Sequence, residues 1–277
     1  VSQANNIIGL LPAAGRARRL GRLPCSKEIY PVAPAEEATG SRTLKSAAEF
    51  ALEAFRAASI ETAFIVLRPG KWDVLKYLAD DSSSRVNTAY LTAPSSIGTP
   101  FTLDVAYPFV KDATVALGFP DILFAPRHIY VRLLERLDRT GADVVLGLFP
   151  ARQPSKSDMV ATDEAGNVTE VVIKPASTPL RHTWICAVWT PGFTAFQHEY
   201  LGRSPVQASA QESELYVGDV IRAAMQEGLL VNSLFFAEGT YIDIGTPEAL
   251  AEALREQWGA GTPLPQNRDV PDERDAS

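Results

Sequence analysis

Along the first half of the chain, short continuous apolar runs alternate with stretches whose apolar residues recur every three to four positions. Ile7–Leu11 is apolar throughout and runs into the small-residue turn Pro12-Ala13-Ala14-Gly15, which predicts a buried strand. Leu44, Ala47, Ala48, Ala51, Leu52 and Phe55 fall at helical spacing, with Ser41 or Thr43 as the expected cap. Thr62–Leu67 reads as a strand, Trp72–Leu78 as a short helix and Asn87–Leu91 as a third strand, followed by the loop Thr92–Thr99. Thr114–Leu117 is a fourth strand, Pro126–Arg139 a strongly amphipathic helix and Asp143–Phe149 a fifth strand. Strands separated by helices predict βαβ units, and hence an α/β fold with a mostly parallel sheet covered on both faces.

The second half is richer in strands. Val168–Ile173, Trp184–Trp189 and Leu229–Phe236 read as strands, and Ser213–Glu227 and Thr246–Trp258 as helices. The last helix opens Thr246-Pro247-Glu248, with proline at its first position. From Gly259 onward the chain is rich in Gly, Pro and charge, so residues 259–277 are expected to form a disordered tail. Residues 1–258 are expected to form one domain, with no second folded unit after it.

Composition narrows the classes. Of 277 residues, 46% are apolar and 21% charged, as in ordinary globular proteins, and the formal net charge of −7 argues against general nucleic-acid binding. No apolar run approaches membrane-spanning length, and no signal-peptide pattern opens the chain, so a cytoplasmic protein with no membrane partner is expected. Cys25 and Cys186 read as free thiols of a reducing compartment; they and the three histidines show no zinc-ligand spacing.

Against this acidic background, Arg16, Arg18, Arg19, Arg22 and Lys27 crowd the segment after the first strand. Small residues that admit backbone N–H groups, followed by cations, suit a polyphosphate. Neither the G-x-x-x-x-G-K-[ST] phosphate loop nor the dinucleotide G-x-G-x-x-G spacing is present, since Gly70-Lys71 is followed by Trp72. Ligands of open α/β sheets gather at the carboxyl ends of the strands. Four segments meet that condition: the Ala13–Lys27 loop, Ala93–Gly98, Gly118-Phe119-Pro120-Asp121 and Asp243-Ile244-Gly245-Thr246. Asp121 and Asp243 there offer two hard oxygen ligands which, with substrate phosphates, suit Mg²⁺. Lys174, in Ile173-Lys174-Pro175, adds a cation at a further strand end.

Taken in order, these segments resemble the nucleotidyltransferases that activate sugar 1-phosphates, the glucose-1-phosphate thymidylyltransferase and uridylyltransferase group. The family's A-G-G-x-G-T-R-L opening is similar to Ala13-Ala14-Gly15-Arg16-Ala17-Arg18-Arg19-Leu20, and its following P-K or S-K to Ser26-Lys27. Its G-D-N-I-F resembles Asp121-Ile122-Leu123-Phe124, its E-K-P resembles Ile173-Lys174-Pro175, and its W-x-D-x-G-T-P resembles Tyr241-Ile242-Asp243-Ile244-Gly245-Thr246-Pro247. The resemblance implies a nucleotidyltransferase-type Rossmann-like three-layer sandwich with a mixed, mostly parallel sheet. It implies a nucleotide-binding part over about residues 1–150 and a sugar-phosphate part over about 151–258. By the same resemblance, Arg19 and Lys27 hold the β- and γ-phosphates, Asp121 and Asp243 hold Mg²⁺, and Lys174 grips the attacking sugar phosphate. Leu11, Ala13, Ala14, Gly15, Arg16, Ala93 and Gly98 join Arg19, Lys27 and Asp121 in binding the nucleotide, while Met159 and Trp184 join Lys174 around the acceptor. The expected partners are an NTP and a phosphorylated small molecule, in a homo-oligomer.

The chain also departs from the family. Arg19 and Lys27 are eight residues apart, about two fewer than the familiar spacing, and Pro120 replaces the glycine before Asp121. Ala93-Pro94 stands where a Gln-Pro pair reads the base; Asp158-Met159 and Trp184-Ile185-Cys186 stand where Tyr-Gly and Thr-Gly pairs line the sugar pocket. The expected reaction joins a nucleoside monophosphate, from dTTP or UTP by the resemblance, to a sugar 1-phosphate with release of pyrophosphate. The altered pocket leaves two alternatives: a non-hexose acceptor such as phosphocholine or a cyclitol phosphate, and a non-catalytic nucleotide- or sugar-phosphate-sensing protein.

Overall fold

The computed structural model describes residues 6–36, 42–79, 86–93, 98–203 and 214–258. The chain runs through β1 (Ile7–Ala13), the hairpin β2 (Pro31–Glu36) and β3 (Arg42–Ser46), α1 (Ala47–Ala57), β4 (Thr62–Leu67), α2 (Trp72–Ala79) and β5 (Asn87–Thr92). It continues through α3 (Thr99–Asp104), α4 (Tyr107–Val110), β6 (Thr114–Leu117), β7 (Ile122–Ala125), α5 (Ile129–Thr140), β8 (Val144–Pro150), β9 (Met159–Thr162) and β10 (Val168–Val172). It ends with β11 (His182–Trp189), α6 (Pro191–Arg203), α7 (Val217–Gln226), β12 (Val231–Phe235), β13 (Thr240–Asp243) and α8 (Pro247–Trp258).

A nine-stranded sheet organises these elements. β5, β4, β1 and β6 pair in parallel in that order, and β6 is followed by the antiparallel β11. β8 lies along the other edge of β11 and pairs in parallel with β12, while β9 and β10 attach at the first residues of β11, beside β6. Every strand of this sheet except β10 and β11 points the same way, so the sheet is mixed and mostly parallel. α1, α2 and α5 cover one face with Leu52, Phe55, Val74, Tyr130 and Leu133, and α3, α6 and α7 cover the other with Leu103, Phe193, Val220 and Ile221. Each of these large side chains contributes roughly 1.5–3 kcal/mol by leaving water. Among the described residues no helix is long and apolar enough to cross a membrane.

Several elements differ from the reading of the pattern. Leu44, counted as the first apolar position of a helix, lies in β3 and is half-exposed, and Thr43 lies in the same strand. The helix starts after Ser46, whose backbone N–H donates to Glu49 Oε2 at 2.6 Å; this cap replaces the expected Thr43, and Ser41 lies outside the described residues. The helices placed at Pro126 and Ser213 begin at Ile129 and Val217, because Arg127 and His128 are spent on a turn and Leu215 on a bridge to Gly98; Ser213 and the tail 259–277 lie outside the described residues. The hairpin β2–β3 escapes the pattern because Pro31 and Pro34 disfavour a strand, a penalty that vanishes in an isolated two-stranded ladder with open edges.

A second ladder matters more for function. β7 and β13 pair antiparallel, away from the main sheet, with Asp243 opposite Ile122. Leu123, Ile242 and Ile244 pack beneath it against Leu20, Val32, Leu250 and Ala253, a small core that ties the loop after β1 to α8.

Candidate active site

β1 delivers the chain into the basic loop. Ala13 and Ala14 are buried and Gly15 and Arg16 are exposed. A 3₁₀ turn over Arg18–Leu20 then closes with Leu20 N–H donating to Ala17 O at 3.0 Å. Burial of Leu20 in the small core turns the Arg19 side chain toward a cleft of about 480 Å³. Farther along, Ser26 is pinned to the first turn of α2: its N–H and Oγ donate to Asp73 Oδ2 and Oδ1 at 2.7 and 2.9 Å. That clamp sets the next 3₁₀ turn, Lys27–Ile29, so that Lys27 forms an ion pair with Asp121 while Glu28 turns inward to a buried ion pair with Lys71 at 2.6 Å.

Asp121 and Asp243 are brought together by backbone geometry. Ile244 N–H donates to Asp121 O at 3.0 Å, extending the β7–β13 ladder by one step. Asp243 Oδ1 accepts from Gly245 N–H at 2.8 Å. A methyl group on Gly245 would stand 2.8 Å from Arg19 Nη2 and 2.9 Å from Asp243 Oδ1, so glycine there lets the guanidinium and the carboxylate close in on the turn. Arg19, Asp243, Asp121 and Lys27 thus form one continuous charged group.

The electrostatics divide the two carboxylates. Burial pushes the Asp121 carboxyl up, but the attraction and hydrogen bond of Lys27 outweigh it and hold its pKa below the usual range. Among the described residues Asp243 has no cation within ion-pair distance; desolvation by the surrounding protein, with repulsion from Asp121, raises its pKa against the weaker pull of Lys27 and Arg19. Desolvation likewise opposes the charge on Lys27, yet Asp121 prevails and the ammonium is held more firmly than usual. The remaining repulsion between two neighbouring carboxylates, one of them unpaired, is the situation a divalent cation relieves. Among the described residues no group of three or more His, Cys, Asp or Glu side chains could enclose a metal. The pair therefore fits a cation that completes its shell with phosphate oxygens and water, as Mg²⁺ does.

The far end of the cleft is built by β9, the end of β10, β11 and the start of α7. Lys174, two residues past the end of β10, has φ +40°, and its Nζ lies 3.5 Å from the centroid of the Tyr216 ring. Asp158 lines the cleft nearby. Its pKa is pushed up to about 6, by burial first, against the pull of Lys174. Trp184 stands against Phe119 with ring centroids 5.8 Å apart. Arg152 adds a fixed cation, donating to Tyr241 O at 3.2 Å and pairing with Glu252 of α8.

Of the residues singled out from sequence, Arg19, Asp121, Lys174, Trp184 and Asp243 line this one cleft, and Lys27 reaches it through Asp121. Leu11, Ala13, Ala14 and Ala93 are buried, and Gly15 and Arg16 are exposed outside the cleft lining. Gly98 caps α3 beside Thr99, which does line it. Met159 is fully buried and is absent from the lining; its neighbour Asp158 takes that place, because adjacent residues at a strand end face opposite ways. Sequence reasoning missed Tyr216, Arg152 and the Glu28–Lys71 pair. The nearest signal for the last was a lysine after Gly70 with no phosphate-loop context to explain it.

The nucleotidyl transferase family model matches residues 13–257. The low-salt glycan biosynthesis nucleotidyltransferase Agl11 of Haloferax volcanii is 23% identical over 248 residues, 88% of this chain and 64% of that protein. The chain thus spans less than two thirds of that relative. Among solved structures, a Bacillus anthracis protein provisionally assigned as a glucose-1-phosphate thymidylyltransferase, in complex with sucrose, superposes with a TM-score of 0.77 at 15% identity, covering 93% of this chain and 98% of that one. A UDP-glucose pyrophosphorylase complexed with UDP-glucose gives 0.74 at 18% identity, covering 91% and 98%. The UTP-bound UGPase of Acinetobacter baumannii gives 0.70 at 16%, covering 89% and 91%. These likenesses extend the α/β sandwich described above to known folds, and the family match runs through both ends of the cleft. The chain belongs to the nucleotidyl transferase family.

Proposed function

We propose that this protein transfers a nucleoside monophosphate from an NTP, dTTP or UTP, to a sugar 1-phosphate and releases pyrophosphate in a Mg²⁺-dependent reaction. The observation that carries this reading is the shared cleft: Arg19, Lys27, Asp121 and Asp243 converge at one end, and Lys174 stands at the other. In such a reaction an acceptor phosphate oxygen bonds to the α-phosphorus. The bond from that phosphorus to the oxygen bridging to the β-phosphate breaks, and its electron pair leaves with pyrophosphate. Arg19 and Lys27 neutralise the departing charge, and Lys174 holds the attacking phosphate in line. Asp121 and Asp243 would hold Mg²⁺, which supplies charge neutralisation at the α-phosphate. Positioning and charge supply most of the catalysis in this chemistry.

One observation favours the non-hexose alternative. Phe119 and Trp184 form an apolar wall at the acceptor end of the cleft, which suits the methylated ammonium of phosphocholine better than a polyhydroxylated ring. A single panel separates the readings. Thermal stability is measured with dTTP, UTP, CTP, GTP and ATP, with and without Mg²⁺, followed by pyrophosphate release with hexose 1-phosphates, phosphocholine and cyclitol phosphates. The expected result is a Mg²⁺-dependent stabilisation by one nucleotide, about 2.7 kcal/mol at a hundredfold excess over Kd, and turnover with a sugar 1-phosphate. Turnover confined to phosphocholine or cyclitol phosphates replaces the acceptor. Nucleotide binding with no pyrophosphate from any acceptor leaves the sensing protein.

A further inference from the structure

The cation at the acceptor end is held in an unusual way. Among the described residues Lys174 has no carboxylate within ion-pair distance, and its ammonium sits 3.5 Å over the centroid of the Tyr216 ring. Its backbone sits at φ +40°, a region that strains a non-glycine residue and persists only where the surroundings enforce it. The ring beneath it is fixed from two sides. Tyr216 precedes α7, and its N–H donates to Asp219 Oδ2 at 3.0 Å. The preceding residue, Leu215, forms a parallel bridge with Gly98 at the start of α3. That bridge is close: a methyl group on Gly98 would lie 2.2 Å from Leu215 O.

We propose that Tyr216 is the positioning residue for Lys174, its ring holding the ammonium at the height where an acceptor phosphate is received, with the Gly98–Leu215 bridge fixing the ring. This deepens the proposed function and rests on it for the identity of the ligand. An aromatic ring suits the task better than a carboxylate would. It holds the ammonium without forming an ion pair, and Asp158, the carboxyl that feels the pull of Lys174, is not within ion-pair distance of it. The Tyr216 hydroxyl takes no part, since it donates to Glu214 at 3.3 Å, on the same short segment.

The test uses the full chain in two arms. In the first, Tyr216→Leu and Tyr216→Phe are compared for the KM of the acceptor, the KM of the NTP and kcat. Tyr216→Leu is expected to raise the acceptor KM about 3- to 10-fold, the worth of a partly exposed cation–π contact, with the NTP KM unchanged; Tyr216→Phe, which keeps the ring, restores it. An unchanged acceptor KM in Tyr216→Leu, or equal damage in Tyr216→Phe, overturns the proposal. The second arm needs no turnover. Lysines are reductively methylated with ¹³C-formaldehyde, which keeps their charge, and the Lys174 resonance is assigned through Lys174→Arg. The ring should shift its N-methyl protons upfield in the parent and in Tyr216→Phe but not in Tyr216→Leu. An unshifted resonance in the parent overturns the proposal. An upfield resonance in a protein that releases no pyrophosphate with any acceptor removes the proposed function and the acceptor role with it, while the contact itself stands.

Discussion

Asp121 and Asp243 are neighbours because of one backbone hydrogen bond: Ile244 N–H donates to Asp121 O at 3.0 Å, so two residues 122 positions apart leave adjacent strands of the same ladder. Lys27 pairs with the first and leaves the second to bear the repulsion. That asymmetry has consequences of opposite sign for activity and stability. Asp243→Asn is expected to lower kcat in Mg²⁺ on the order of 10²–10³-fold. It should also raise the melting temperature without Mg²⁺, because the native state no longer holds two like charges together. Parent-like turnover in the variant would remove Asp243 from the proposed metal pair.

The turn after Asp243 should tolerate little. In Gly245→Ala the added methyl meets Arg19 Nη2 and Asp243 Oδ1 inside normal contact distance, and both atoms belong to movable side-chain ends. The fold should therefore survive with its melting temperature within a few degrees, while kcat/KM for the NTP falls about 10- to 100-fold as the two charges are displaced. Equal kcat/KM in both proteins would mean that neither group is held in a working position by this turn.

Behind the site, Glu28 and Lys71 form a buried pair, each side chain under 5% exposed. Burial raises the pKa of the one and lowers that of the other, in each case against the attraction of the partner. Lys71→Met strands the carboxylate and should cost about 3–5 kcal/mol in urea unfolding. The double variant Glu28→Leu/Lys71→Met should recover most of that loss. If the double variant loses as much stability as Lys71→Met or more, the two side chains are not coupled.

Asp158 supplies a pH dependence with a definite sign. Its native pKa, about 6, lies above the ordinary carboxyl value because burial outweighs the pull of Lys174; Asp219 adds to the rise, and Trp184 and Arg222 oppose it. The native state therefore favours the protonated carboxyl more than the unfolded chain does. Its contribution to stability is full below about pH 4 and is lost as pH rises through about 6. Asp158→Asn, which mimics the protonated form, should be more stable than the parent by about 1–3 kcal/mol near pH 7.5, and the gap should close near pH 4. Denaturant unfolding at the two pH values measures this directly; a gap independent of pH would assign the effect to packing instead.

Much of this protein is written in local pattern. The strands Thr62–Leu67 and Thr114–Leu117 are read without error because unbroken apolar runs bounded by turns have one stable fate in a two-sided sheet. Helix α5 is legible for the same kind of reason, with Ile129, Tyr130, Leu133 and Leu137 on a single face. The charged residues Arg19, Lys27, Asp121, Lys174 and Asp243 are visible because they occur together and in order at strand ends, where open α/β sheets gather their ligands; any one of them alone would read as a solvated loop, a turn or an exposed strand end. What the sequence could not contain is distance. The β7–β13 ladder, which sets the two carboxylates side by side, is two short strands far apart in the sequence that, among the described residues, pair with each other alone. The exchange of Met159 for Asp158 at the cleft turns on a one-residue strand register, and the Tyr216 ring under Lys174 depends on how α7 docks beside β10. Local propensity fixes which segments become strands and helices, because it acts through neighbours in the chain. Which charges face one another is decided only when those segments pack, since the interactions responsible are between residues that the sequence holds far apart.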